Sequence, residues 1–281
     1  MLELRNESLR VELLHPNDDH ARFGVRYCTG GYVFQVHDAR HGPLLTGPTW
    51  PASFNWFDGQ GIPDAFNLGP VHSTRELGHA LVLGTGICDL PARKVLTFAH
   101  WRIDAAPGEL RFTTQQAFEG TALTLERTVS LAGRTLRSRT ALANTGSTFI
   151  PVRWFPHPFY PQLPHASEGA AHERADDELL WINAPLRWRD DDAYALHRSG
   201  FIGRRGWPWT DGHYRALEHD AQAPLVLLQR HPALGLVSAA TSYVPSHFPI
   251  WGNPHTFSWE PFLERLVAPG ITLDWWIDYR F

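Results

Sequence analysis

Residues 272–281 read Thr-Leu-Asp-Trp-Trp-Ile-Asp-Tyr-Arg-Phe, and this stretch decides the fold class. Every second position from Leu273 to Phe281 is apolar, while aspartate and arginine occupy most of the positions between. Successive side chains of a β-strand point to opposite faces, so the alternation predicts a strand with one buried and one solvated face. We expect this strand to run to Phe281.

The same period of two recurs upstream. Residues 122–131 alternate apolar and polar side chains, and Arg127 interrupts the apolar face. A turn at residues 132–134 and a second alternating run to Asn144 complete a predicted hairpin. Shorter runs of the same kind predict further strands at residues 10–14, 32–36, 81–84, 94–104, 224–229 and 236–241.

Short strands that are separated by turns, with few helical signals, are typical of an all-β protein. The 22 prolines and 23 glycines supply the turns, and neither a repeat nor a linker divides the chain. We therefore expect one domain over residues 1–281, built as a large antiparallel sandwich or barrel. Residues 161–192 are poor in alternation and predict a long loop or cover, with a short element around residues 178–182.

The composition excludes several partners. A net charge of −4 and the lack of a Lys/Arg block argue against nucleic acid or an anionic membrane as the main partner. No segment resembles a secretion signal or reaches bilayer length, so we expect a cytoplasmic protein. Cys28 and Cys88 are expected to be buried free thiols. Twelve tryptophans exceed the needs of a core of this size, and indole faces stack well on sugar rings.

Common cofactor and nucleophile motifs are missing. Gly84-Thr85-Gly86 lacks the third glycine of a dinucleotide fingerprint, and Pro91 interrupts the helix that such a site needs. Lys94 is the only lysine and lies in a strand pattern, so there is no P-loop, and no Gly-x-Ser-x-Gly elbow occurs. The histidines show no metal-ligand spacing. The sequence therefore predicts neither a cofactor nor a metal.

His157 and Glu260 are the strongest candidates for proton transfer. His157 lies between two prolines in the aromatic run Trp-Phe-Pro-His-Pro-Phe-Tyr of residues 154–160, and Glu260 lies between a tryptophan and a proline. Partial burial and fixed geometry are what an acid and a base need near neutral pH. Two alternatives remain, since His157 could be a core histidine and Glu260 could pair with Arg153 or Arg265.

Three motifs resemble the galactose mutarotase-like (aldose 1-epimerase) superfamily. Residues 157–160 are similar to its His-Pro-Tyr-Phe-type segment, and Glu260-Pro261, Pro269-Gly270 and the terminal aromatic strand are similar to its C-terminal end. Residues 59–63, Gly-Gln-Gly-Ile-Pro, resemble a turn of the branch near the hexose-phosphate mutarotase-like proteins. The resemblance implies a large antiparallel β-supersandwich with few short helices and a sugar site in an open cleft. It also implies no cofactor, a histidine acid and a glutamate base.

The resemblance also suggests residues that contact the sugar. His79 is the nearest match to the family's second histidine, with His72 as a rival, and Arg75 and Asp211 match its hydroxyl contacts. Stacking on the sugar and further hydroxyl contacts are expected from Trp154, Trp207, Trp251 and Gln60.

The predicted function is therefore that of an isomerase that interconverts the α and β anomers of a small-molecule sugar. His157 and Glu260 are expected to face each other across a hollow, on opposite sides of one pyranose. The alternatives are a non-catalytic sugar-binding or sensor domain and a hydrolase or lyase. A hydrolase would need a second acid, and Glu264 is the one nearby.

A phosphorylated sugar would call for clustered arginines, for which Arg204-Arg205 is the visible pair. We expect a monomer or a weak homodimer.

Overall fold

The computed structural model describes residues 1–164, 177–206 and 209–281. In these ranges the chain forms 27 β-strands and one 3₁₀ turn at His20–Arg22. The strands of the first half are β1 (Leu2–Arg5), β2 (Leu9–Leu13), β3 (Val33–Asp38), β4 (Gly42–Pro43), β5 (Asp64–Ala65), β6 (Val71–His72), β7 (His79–Val82), β8 (Gly86–Asp89), β9 (Lys94–Phe98), β10 (Arg102–Ala106), β11 (Glu109–Phe118), β12 (Thr121–Ala132) and β13 (Thr135–Asn144). Those of the second half are β14 (Ile150–Pro156), β15 (Tyr160–Pro161), β16 (Glu178–Ile182), β17 (Leu186–Arg187), β18 (Tyr194–Leu196), β19 (Ile202–Arg204), β20 (His213–Ala216), β21 (Glu218–His219), β22 (Val226–His231), β23 (Gly235–Thr241), β24 (Pro249–Gly252), β25 (Thr256–Trp259), β26 (Leu263–Val267) and β27 (Thr272–Arg280).

Ten of these strands form one antiparallel sheet in the order β10-β11-β12-β13-β27-β23-β22-β16-β19-β18. The predicted hairpin is the pair β12-β13, and the terminal strand β27 lies between β13 and β23. The apolar side chains of β27 are buried, including Trp275, Ile277 and Tyr279. Strand β27 therefore lies inside the sheet with one face in the core, as its alternation predicts.

Smaller antiparallel sheets pack against this face. Strands β26-β14-β5 form one of them and β15-β25-β24-β20 another. The indole of Trp154 on β14 lies 5.4 Å from that of Trp275, and Trp259 on β25 stacks 6.0 Å from Tyr279, between ring centroids. Burying each such ring stabilises the fold by roughly 1.5–3 kcal/mol. The prediction of an all-β antiparallel sandwich is confirmed.

The interruption of the apolar face at Arg127 has a structural cause. Arg127 and Asp64 of β5 form an ion pair in which both side chains are buried, and Arg127 also donates a hydrogen bond of 2.9 Å to Ser138 Oγ. A buried charge is tolerated when it is paired and hydrogen-bonded. The pair joins the large sheet to β5, which borders β14.

The segment predicted as a long loop or cover contains regular structure. Residues 178–182 are strand β16, which pairs with β22 and β19 in the large sheet, while residues 165–176 lie outside the described residues. Both cysteines, Cys28 and Cys88, are free and buried. Among the described residues, no helix has the length and hydropathy needed to cross a bilayer.

Candidate functional site

The register between β15 and β25 brings His157 and Glu260 together. The two strands are antiparallel, with Tyr160 opposite Phe257. His157 precedes Tyr160 by three residues and Glu260 follows Phe257 by three, so the segments that adjoin the two paired strands at the same end carry these side chains. His157 Nε2 lies 3.3 Å from Glu260 Oε1, and the two residues are only 3% and 7% exposed. They are therefore in direct contact, and not separated by the width of a sugar as we expected.

Strand alternation decides which neighbouring side chains face the cavity beside this pair. On β14, Trp154 points into the core, whereas Phe155 lines the cavity. At the end of β25, Trp259 lies in the core, and Glu260, one residue further along the chain, lines the cavity. Each candidate proton carrier is therefore anchored by a neighbouring strand whose other face is packed in the sandwich core.

The imidazole of His157 is held on several sides. Its Nδ1 lies 2.8 Å from Ser258 Oγ, and its backbone N–H donates a hydrogen bond of 2.8 Å to Pro63 O. The ring stacks on Phe159 with centroids 4.2 Å apart, and the edge of Tyr27 approaches it at 6.3 Å. His157 therefore has one defined orientation, with Nε2 directed at Glu260.

The Gly-Gln-Gly-Ile-Pro turn of residues 59–63 supports this histidine segment through its backbone. Gly61 O accepts a hydrogen bond of 2.8 Å from the N–H of Phe159. Gly61 has a φ of +76°, and a Cβ there would lie 2.3 Å from Val33 O, so only glycine fits. Gln60 was expected to bind a sugar hydroxyl, but its side chain is fully buried and donates to Phe34 O at 3.2 Å. It does not line the cavity, because the turn directs it inward.

Arg26 supplies a positive charge beside the pair. Its guanidinium donates a hydrogen bond of 2.5 Å to Phe57 O and lies 5.0 Å from the ring centroid of Tyr27 and 4.9 Å from that of Phe57. The side chain is half-buried and lines the cavity. Its charge favours the carboxylate of Glu260 and disfavours the protonated form of His157.

Burial shifts both titrating groups toward their neutral forms. Loss of hydration raises the pKa of Glu260 from 4.5 to about 7, and Arg26 partly opposes this rise. Burial also lowers the pKa of His157 well below 6.5, and the charge of Arg26 lowers it further. The carboxylate and the imidazole therefore titrate as one coupled pair. A pair of this kind can exchange protons with a ligand near neutral pH.

The two arginines considered as ion-pair partners of Glu260 contact Glu264 instead, Arg153 at its carboxylate and Arg265 at its backbone carbonyl. Arg153 Nε lies 2.7 Å from Glu264 Oε1, and Arg265 donates a hydrogen bond of 2.7 Å to Glu264 O. His157 is the ionisable side chain within ion-pair distance of Glu260 among the described residues. The glutamate therefore faces a titrating partner and not a permanently charged one.

The pair lines a cavity of about 380 Å³, which is in the range of small-molecule sites. Its wall combines apolar rings with a few polar groups. The residues of the wall are Arg26, Pro48, Phe57, Asp58, Asn67, Leu68, Phe155, His157, Phe159, Tyr214, Trp251 and Glu260. A volume of this size suits a monosaccharide, since aromatic faces can stack on its C–H groups while polar side chains bind its hydroxyls.

The three tryptophans expected to stack on a sugar have different locations. Trp251 lines the cavity, with its ring edge-on to His157 and the centroids 6.4 Å apart. Trp154 is 2% exposed and packs against Tyr243 in the core, so it cannot reach a ligand in the cavity. Trp207 lies outside the described residues.

The residues matched to the family's second histidine and hydroxyl contacts lie away from the cavity wall. His79 on β7 forms an ion pair with Glu76, 2.6 Å between Nδ1 and Oε2, and the rival His72 is exposed on β6. Arg75 and Asp211 are exposed turn residues. None of these lines the cavity. Their motifs are short, and at such positions polar residues serve solvated turns.

Several cavity or support residues were not predicted from the sequence, among them Ser258, Arg26 and Tyr214. Ser258 could have been found, because it lies two positions before Glu260 and side chains at that spacing share a face. Arg26 and Tyr214 gave no local signal, because they reach the cavity from distant parts of the chain. The Tyr214 hydroxyl lies 3.0 Å from His247 Nε2.

Other cavities exist but lack a comparable pair. One of about 630 Å³ is bordered by Asp38 and Arg134, which form an ion pair, and one of about 370 Å³ is bordered by Trp188 and three arginines. Within the described ranges, no three side chains of His, Cys, Asp or Glu converge as a metal site.

Solved structures share this fold. A galactose mutarotase related enzyme from Lactobacillus acidophilus superposes with a TM-score of 0.64 at 11% identity, over 99% of this chain and 96% of that chain. A protein from Synechocystis sp. PCC 6803 gives 0.56 at 16% identity, over 99% and 94%, and a galactose mutarotase-like protein from Clostridium acetobutylicum gives 0.52 at 10%, over 99% and 93%. No protein-family model and no curated protein matches the chain. At these identities the comparisons establish the fold, and the activity must be argued from the site.

Proposed function

We propose that this chain, which has the galactose mutarotase-like fold, is an aldose 1-epimerase that interconverts the α and β anomers of a monosaccharide. The observation that carries the proposal is the direct pairing of His157 with Glu260 at the wall of a sugar-sized cavity. Both groups are buried; burial raises the pKa of Glu260 to about 7 and lowers the pKa of His157 well below 6.5, so a proton shared by the pair rests on Glu260.

Anomer exchange requires two proton transfers at one carbon. Opening of the hemiacetal removes the proton of the C1 hydroxyl and delivers a proton to the ring oxygen. The aldehyde then rotates about the C1–C2 bond and closes on its other face. Because both reacting oxygens are bonded to C1, an acid and a base that lie close together can each reach one of them. A carboxylate oxygen and an imidazole nitrogen 3.3 Å apart have this spacing.

The pair serves this reaction when it holds one proton. Burial places this proton on Glu260, and its transfer to His157 Nε2 across 3.3 Å gives the reactive ion pair. In ring opening, the Glu260 carboxylate then accepts the hydroxyl proton and the His157 imidazolium donates from Nε2 to the ring oxygen. The proton then lies on Glu260, and ring closure returns it to the C1 oxygen while Nε2 recovers its own. Charge and proton count are conserved. Each transfer contributes on the order of 10² to 10⁴ in rate.

The charges of the wall favour an unphosphorylated aldose. Arg26 is the one guanidinium on the described wall, and the same wall carries two acidic side chains, Asp58 and Glu260. Clustered arginines, which a phosphate group calls for, are not found there. Arg204 donates to Leu163 O and lies off the wall. The arginine pair Arg204-Arg205 therefore does not support a phosphorylated sugar.

Exchange spectroscopy by NMR tests the proposal. Anomeric proton exchange would be measured for a panel of free aldoses and their 6-phosphates. We expect faster exchange for at least one free aldose, with loss of that acceleration in Glu260→Gln and in His157→Asn. The exposed Arg75→Ala variant serves as the control and should keep the parent rate.

Two other outcomes would overturn this proposal. Sugar-induced chemical shifts without any accelerated exchange would identify a binding or sensor domain. Release of the aglycone from an aryl glycoside would identify a hydrolase. Full exchange activity in the Glu260→Gln variant would overturn the assignment of the base.

A further inference from the structure

Ser258 occupies a distinctive position behind the proton-transfer pair. It lies on β25, two residues before Glu260, and its side chain is fully buried. Its Oγ lies 2.8 Å from His157 Nδ1, while Nε2 of the same ring lies 3.3 Å from Glu260. The three side chains thus form a line from a buried hydroxyl, through the imidazole, to the carboxylate on the cavity wall.

We propose that Ser258 is a positioning residue that fixes the orientation of His157 and confines proton exchange to Nε2. The inference rests on the proposed function, because it concerns the same proton transfers. Ser258 does not line the cavity, so it acts through His157 and not on the sugar.

The protonation states of His157 and Glu260 explain why a hydroxyl is needed at position 258. When the pair holds one proton as imidazolium and carboxylate, both ring nitrogens carry hydrogen, and Nδ1–H donates to Ser258 Oγ. When that proton has moved from Nε2 to the substrate, the neutral ring keeps its Nδ1–H, and the same hydrogen bond persists. In both one-proton states Nδ1 keeps its hydrogen, so the proton that passes between the ring and the sugar does so at Nε2.

The hydroxyl also accommodates the pair after it loses its last proton. A Glu260 carboxylate then requires hydrogen on Nε2, which leaves Nδ1 bare, and the Ser258 hydroxyl turns to donate to it. Because the Ser258 hydroxyl can both donate and accept a hydrogen bond, the buried Nδ1 has a partner in all three protonation states of the pair. Alanine would leave Nδ1 unsatisfied in each of them, which is costly in a buried site.

Kinetics of Ser258 variants test this role. Ser258→Ala should lower kcat about tenfold, which corresponds to the loss of one hydrogen bond, with KM changed by no more than about twofold. Ser258→Cys, with its weaker donor and acceptor, should give an intermediate kcat. In a His157→Asn background, Ser258→Ala should cause no further loss, because the residue acts through the imidazole.

Thr256 provides a matched control on the same strand. It is also fully buried, and its hydroxyl donates a hydrogen bond of 2.8 Å to Tyr160 O, not to the histidine. Thr256→Val removes a buried hydroxyl at similar depth and should leave kcat unchanged. Equal losses of kcat in Thr256→Val and Ser258→Ala would show a general structural effect and overturn the positioning role.

A readout without substrate separates this proposal from the proposed function. In ¹⁵N NMR spectra of the parent below about pH 7, His157 should show the Nδ1–H form, and Ser258→Ala should shift it toward a mixture of tautomers. An unchanged tautomer in the variant overturns the positioning role even if the enzyme is active. A changed tautomer in a protein that exchanges no anomers upholds the positioning of the ring and overturns only the proposed function.

Discussion

Replacing Glu260 with glutamine should abolish proton transfer and, at the same time, stabilise the protein at alkaline pH. The amide keeps the shape of the side chain but carries no charge. Burial raises the pKa of Glu260 from 4.5 to about 7. A tenfold change in an acid constant is about 1.4 kcal/mol, so the buried carboxylate costs the folded state about 3 kcal/mol.

The sign of the effect follows from the direction of the pKa change. Between pH 4.5 and about 7, the folded protein binds the Glu260 proton more tightly than the unfolded chain does. The unfolding free energy of the parent therefore falls as the pH rises through this window, and the loss is complete above it. Glutamine does not titrate. The free energy of unfolding of Glu260→Gln, minus that of the parent, should thus increase by about 3 kcal/mol from acidic to alkaline pH.

Denaturant unfolding of both proteins at a series of pH values, followed by tryptophan fluorescence, measures this difference. Because His157 contacts Glu260, the same comparison in a His157→Asn background removes the titration of the histidine from the difference. The same samples should show a fall in anomer exchange on the order of 10² to 10⁴ in the variant. Parallel stability curves for the two proteins would refute the burial of a charged Glu260, and retained exchange would refute its role as a proton carrier.

Three further predictions concern the pH dependence, the cavity wall and the core. Anomer exchange by the parent should decline as the pH rises above about 7, because the pair loses its shared proton. Arg26→Met should move this decline to higher pH, because the guanidinium lowers the pKa of Glu260. A decline at the same pH in both proteins would contradict the electrostatic role of Arg26. Trp251→Leu should raise KM about tenfold with little change in kcat, as initial rates against sugar concentration will show, because stacking on the ring binds substrate and transition state alike. Asp64→Asn should lower the unfolding free energy by about 3–5 kcal/mol, measured in urea, because it leaves Arg127 buried without a counter-charge; a loss below 1 kcal/mol would argue against a dry ion pair.

Local pattern was sufficient to predict the class of fold. The alternation in residues 272–281 and in the hairpin of residues 122–144 follows from the opposite directions of successive side chains in a strand, which depends on neighbouring residues alone. The sequence around His157 and Glu260 also marked both residues, since prolines fix the backbone beside each of them and aromatic rings supply apolar surroundings. These parts of the interpretation needed no knowledge of distant contacts.

The same local signals did not distinguish core tryptophans from tryptophans of the cavity wall. Trp154 and Trp251 are equally plausible sugar platforms in the sequence, but Trp154 lies on the core face of β14 and Trp251 lies on the cavity wall. Which face of a strand is covered depends on the sheet that packs against it. Arg75 and Asp211, which were suggested by short motifs, are exposed turn residues away from the cavity wall.

The residue pattern was enough to predict an antiparallel β protein and to identify the two residues most suited to exchange protons. The contact between these two, the position of Ser258 behind the imidazole and the nearby charge of Arg26 follow from the three-dimensional packing. The register of β15 on β25 and the packing of β14 and β25 on the large sheet produce that arrangement. These are contacts between residues far apart in the chain, and their geometry is set by the summed packing of the whole core, which no short stretch of sequence encodes.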